Sequence, residues 1–220
     1  MQAIWISPFN ATTGTQPKNT RKPLIQVRFY ATLFVWSLCV TTPSEILQFW
    51  YTPPISEHWF NSTPEIDMEI RRRFESLWQQ AADNELEHWK QSAEGCLALC
   101  IVLDQFPLNM FRGEAKSFST EQQAVAVCKL AVANAFDLEL PLEQRAFLYM
   151  PLMHSENLED QNESVRLFEN AGLENNTRFA RHHREIVRKF GRFPHRNKAL
   201  GRQNSPAEID YLNSPEAFKG

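Results

Sequence analysis

The chain has 220 residues, 43 % hydrophobic and 22 % charged, with a formal net charge of -3. This is the composition of one soluble globular domain; it excludes a disordered chain and one built of membrane spans. With charge so nearly balanced, attraction to nucleic acid or anionic lipid cannot come from the molecule as a whole, and electrostatic recognition has to be local.

The first 40 residues stand apart from a domain over residues 41–220. Residues 1–22 ("MQAIWISPFNATTGTQPKNTRK") lack periodicity, and "FYATLFVWSLCV" then supplies an apolar run of roughly a dozen residues, short of the ~20 that a bilayer span needs. With Lys18, Arg21, Lys22 and Arg28 ahead of it, the run resembles a signal-peptide core, although no small-x-small cleavage site follows. Three readings stay open: a translation start at Val40, a targeting segment, and a folded extension. No integral membrane span is expected.

From Pro43 onward helix signals dominate. Thr42 before Pro43 and Thr63 before Pro64 each place an N-cap ahead of proline at the first helical position. After Thr63, Ile66, Ile70, Phe74, Leu77, Trp78 and Ala81 form an apolar stripe at spacings of three and four. "SAEGCLALCIVLDQF" is apolar nearly all round, the mark of a central buried helix, and Pro107 is expected to stop it. "STEQQAVAVCKLAVANAF" follows with Ser119 or Thr120 as cap. Then "LPLEQRAFLYMPLMH" enters through Pro141 and is expected to break near Pro151. "SENLEDQNESVRLFENAG" ends at Gly172, "NTRFARHHREIVRKFG" at Gly191, and "SPAEIDYL" is capped by Ser205. No segment alternates as a strand does. The expected fold is all-α and single-domain, a helical array of about seven or eight helices, arranged as a tetratricopeptide-like superhelix or an irregular bundle.

Cys39, Cys96, Cys100 and Cys128 fit neither a disulfide nor a zinc pattern; the last three read as small core hydrophobes, a usage suited to a reducing cytoplasm. Glu85 with His88, and His182 with Glu185, have the i, i+3 spacing of di-iron bundles, but the central helix is apolar until Asp104, so no metal is expected. No Gly-x-Ser-x-Gly, Walker or dinucleotide loop is present, and no cofactor is expected.

Charge is segregated along the chain. Nine acids between Asp137 and Glu174 face only Arg145 and Arg166, whereas nine bases between Arg178 and Arg202 face only Glu185. Either an acidic helix packs beside a basic one, or the positive surplus is kept for an anionic ligand. The surplus peaks in "RKFGRFPHRNKALGR", Arg188 to Arg202. "DQFPLNMFRG", Asp104 to Gly113, echoes it: each sets Phe-Pro and then Asn after a helix, followed by a basic residue and a glycine.

"LDQFPLNMFRG", "YMPLMHSENLEDQ" and "HHREIVRKFGRFPHRNKALGR", in this order, resemble the bacterial family known as domain of unknown function 924. The likeness runs from about Pro43 to Leu212. It implies a tetratricopeptide-like all-helical fold and a domain that begins close to "PSEILQFWY", and it brings no established activity. Two positions depart from the family pattern: Leu108 stands where an arginine is usual, and Ala207 where an acid is usual before Glu208.

The candidate ligand-binding residues are Arg192, His195, Arg196, Asn197 and Arg202, supported by His182 or His183, with Asp104, Gln105 and Asn109 of the first motif. Arginine's planar fork suits carboxylate and phosphate, and Gly191 and Gly201 allow close backbone approach. The same Phe-Pro loops are equally what architecture alone requires: proline turns the chain, phenylalanine anchors it and asparagine caps backbone. For proton transfer the candidates are His154, with Glu156 beside it, and His195. Two functions follow: a binding or interaction module whose basic groove takes an anionic small molecule or an acidic peptide or protein, or an enzyme acting on a small anionic metabolite. Nucleic acid is not an expected partner, since acids lie close by and no exposed aromatic platform is evident.

Overall fold

The computed structural model describes residues 41–218, so the expectations for residues 1–40, Cys39 included, lie outside the described residues. Helix α1 (Pro43–Trp50) starts at Thr42, whose hydroxyl accepts from the Glu45 N–H while Glu45 reaches back to the Thr42 N–H. Helix α2 (Pro64–Ala82) starts at Thr63 and buries Ile70, Phe74, Leu77, Trp78 and Ala81, five of the six stripe positions. Both starts follow from the Thr-Pro signal.

The next segment departs from expectation. Helix α3 (Ala93–Cys100), a π-helical turn (Ile101–Gln105) and α4 (Phe106–Met110) run on as one rod, and Pro107 does not stop it. In a regular helix the proline would leave the Leu103 carbonyl without its donor and drive its ring into that same carbonyl. In the π turn the Phe106 N–H reaches back five residues to the Ile101 carbonyl, which offsets the ladder just ahead of the proline. The Thr120 hydroxyl then donates to the Leu103 carbonyl at 2.6 Å, and Trp78 Nε1 donates to Thr120 at 3.1 Å. The orphan carbonyl is satisfied from outside the helix. The first Phe-Pro is thus helical, while the second lies in a 3-10 turn (Pro194–Arg196).

Helix α5 (Glu121–Ala133) follows, then α6 (Leu142–His154), α7 (Leu158–Asn170), α8 (Glu174–Phe190) and α9 (Pro206–Leu212). Helix α6 continues through Pro151 to His154, correcting the expected break. Gly172 and Gly191 close α7 and α8 with φ of 68° and 69°, where a Cβ would be strained. The rod is packed on by α1, α2, α5 and α6, which accounts for its apolar run from Cys96 to Leu103, and α6, α7 and α8 pack in succession. Trp50, Phe74, Phe106 and Phe147 join in edge-to-face and stacked contacts at the centre. A smaller cluster of Ile186, Val187 and Phe193, with Phe190, Tyr211 and Phe218 against it, ties α8, the arginine loop and α9 together. The described residues are all-α and form a single domain with no strand, and no helix among them is long and apolar enough to cross a membrane.

Candidate functional site

The arginines of the 188–202 stretch do not stand as a bare positive surface. Arg192 meets Glu208 with Nε at 2.7 Å and Nη2 at 2.9 Å, a bidentate pair that holds the Glu208 carboxyl down at about 2. Glu208 also closes the capping box of α9 with Ser205, and Asn197 donates to Glu208 and Asn204. Arg192 and Asn197 therefore splice the loop to α9.

Arg196 is buried, 5 % exposed, between the rings of Phe118 and Phe193, each 4.6 Å from its guanidinium carbon. Its Nη1 donates to Glu121 at 2.6 Å and its Nη2 to the His154 carbonyl at 2.7 Å. That carbonyl belongs to the last turn of α6, where no helical donor remains. Burial pushes the Glu121 carboxyl up, against the pull of Arg196. Arg202 meets Glu156 through Nη1 at 2.9 Å and Nη2 at 2.8 Å, and the Phe193 N–H donates to the same carboxylate. Burial raises Glu156, but these donors outweigh it and leave the group below its usual range.

Much of the segregated charge is consumed in this way. The loop's arginines reach acids on α5, the α6–α7 junction and α9, while Arg181 joins α8 to α7 through Glu169.

Between these elements opens a cleft of about 730 Å³, lined among others by Phe118, Glu121, Asn157, Asp160, Arg196 and Arg202. One wall is the first turn of α5. Thr120 occupies its N-cap without capping, because its hydroxyl goes to Leu103, and the backbone N–H groups of Glu121, Gln122 and Gln123 have no partner among the described residues. The opposite helix start is satisfied: Asn157 Oδ1 accepts from the Glu159 and Asp160 N–H groups. Asp160, buried on the same wall, meets Lys129 Nζ at 2.5 Å and the Ser155 hydroxyl at 2.7 Å.

The first motif reaches this region through His154. Asp104, buried in the π turn, accepts from His154 Nδ1 at 2.9 Å and from Gln105 Nε2. Asn109 faces away, donating to the Gln105 carbonyl and accepting from Arg112, which is held by Asp67. The remaining histidines are placed differently. His183 is buried against Phe193 and Phe218, with Nδ1 on the Phe179 carbonyl, and burial pulls it down to about 3. His195 lies on the same two rings and falls to about 4 through burial and the neighbouring Arg196. Neither carries a positive charge at neutral pH, and His182 touches this cluster only at the edge of His183.

Arg196, Arg202, Glu156, His154 and Asp104 are thus brought together; Arg192, Asn197, Asn109 and His182 are not. Sequence reasoning missed Glu121, Asp160 and Lys129. Glu121 reads as an ordinary first-turn acid, and its pairing with Arg196 spans 75 positions with no local signal.

No curated protein matches the chain. A protein of unknown function from Agrobacterium tumefaciens, whose structure is solved, shares 35 % identity and superimposes with a TM-score of 0.73, covering 78 % of this chain and 96 % of its own. The family model described as "Bacterial protein of unknown function (DUF924)" matches residues 46–216, the span that holds all three sequence motifs and the cleft, and the chain belongs to that family.

Proposed function

We propose that the chain is a binding protein for a small molecule bearing a carboxylate or phosphate, taken up in the cleft between α5, the α6–α7 junction and the arginine loop. The observation that carries this is the open first turn of α5: three backbone N–H groups without partners among the described residues at the positive end of a 13-residue helix, bordering the cleft that Arg196 and Arg202 line. Arg202 is the recruitable cation. Its side chain is 31 % exposed and has five N–H groups, more than its contacts with Glu156 use. Arg196, sealed between two rings, holds the wall. A volume of about 730 Å³ suits a small ligand rather than a protein surface.

A thermal-shift screen with mono- and dicarboxylates and phosphorylated metabolites tests this, with Arg202→Gln as the control. A ligand at 100 times its dissociation constant adds about 2.7 kcal/mol, and that gain should vanish in the variant. If no anion stabilises the parent, or if the variant responds equally, the reading is wrong.

A further inference from the structure

We propose that His154 is a proton-transfer residue at the edge of this cleft, acting on the anionic molecule held there, with Asp104 as its positioning residue. Three features of the structure converge on His154, and only the last depends on the binding reading above.

The first is the pair itself. A carboxylate only accepts, so the Asp104 bond fixes the proton of a neutral His154 on Nδ1 and leaves the lone pair on Nε2. Nε2 has no partner among the described residues and does not belong to the buried unpartnered atoms, and the side chain is 19 % exposed. An imidazole with a buried carboxylate behind one nitrogen and an open lone pair on the other is the arrangement a general base needs. Nε2 takes the proton of a water or substrate O–H, so that the O–H bond breaks as Nε2–H forms, Asp104 stabilises the imidazolium, and the proton then passes to an oxygen of the bound molecule or to solvent.

The second feature is how Asp104 is presented. It sits in the π-helical turn, 4 % exposed at the side chain, in a rod that is apolar from Cys96 to Leu103. A buried acid in a wide turn is a costly choice for a packing helix, and π turns recur at functional sites. The Gln105 amide holds one carboxylate oxygen, which orients the other partner.

The third is location. His154 is the last residue of α6, its carbonyl is held by Arg196, and the next three residues, Ser155, Glu156 and Asn157, line the cleft. By contrast His183 and His195 are confined among aromatic rings, and neither is hydrogen-bonded to a carboxylate among the described residues.

The test is site-resolved acylation of the whole chain by diethyl pyrocarbonate, followed by mass spectrometry, with the partly exposed His58 as internal reference. His154 should react at least as fast as His58. Asp104→Asn should slow His154 by about tenfold or more and leave His58 unchanged, with circular dichroism confirming the fold. A structural hydrogen bond would behave oppositely, since cutting it frees the ring. An unreactive His154, or one indifferent to Asp104→Asn, overturns the proposal. If Asp104→Asn fails to fold, Gln105→Leu replaces it, and a rate no lower than the parent's overturns the proposal in the same way. Succinate or inorganic phosphate should protect His154 in the parent and not in Arg202→Gln. Acylation that depends on Asp104 but ignores both anions keeps the dyad and removes the anion-binding reading.

Discussion

Thr120 shows how one side chain decides what a proline can do. Its hydroxyl serves the carbonyl that Pro107 leaves free and accepts from Trp78, both within the core. Thr120→Val keeps the shape and orphans both partners, so urea denaturation should show a loss of about 2 kcal/mol or more. The diverted hydroxyl is also why the first turn of α5 is left uncapped, so a device that stabilises the rod leaves backbone N–H groups open beside the cleft. Gly95 is a second such position: a Cβ there would stand 1.9 Å from the Trp89 carbonyl oxygen. Gly95→Ala should therefore cost about 1–3 kcal/mol in the same assay, where an ordinary helical Gly→Ala would stabilise.

Helix starts and ends were legible because their signals are local. Thr-Pro pairs, the Ser205–Glu208 capping box and glycines at positive φ each act within four residues of the boundary they set. Pro107 and Pro151 misled because their effect is settled by partners elsewhere: for Pro107 the π turn and Thr120, neither of which a proline's neighbours reveal. The site followed the same rule. Arg196, Arg202 and His154 stood out by composition, but their acids Glu121 and Asp104 are 75 and 50 positions away. The basic stretch looked like a groove because the carboxylates that fill it lie on other helices.

Across the whole molecule, paired charge and buried histidine make stability depend on pH and on Arg196. Breaking the Arg196–Glu121 pair leaves a mostly buried carboxylate uncompensated, so Arg196→Ala should cost about 3–5 kcal/mol, and Arg196→Met with Glu121→Leu should recover most of it. His183 and His195 titrate near 3 and 4 in the fold against about 6.5 when unfolded. Below pH 6.5 the unfolded chain binds protons that the folded chain refuses, so stability is full above that pH and falls as pH drops toward 4. Between pH 6.5 and 5 this slope should belong to the histidines, and His183→Phe should flatten it in urea titrations. Glu208, held at about 2 by Arg192, adds a further loss only as pH falls below its ordinary value near 4.3.

Amide NMR tests directly the proposed contact between an anion and the first turn of α5. Titration of the full chain with succinate or phosphate should move the amide resonances of Glu121, Gln122 and Gln123 and the Arg202 Nε–H together, with one saturating affinity. Saturating shifts gathered elsewhere, or none at these four groups, would contradict a ligand in this cleft.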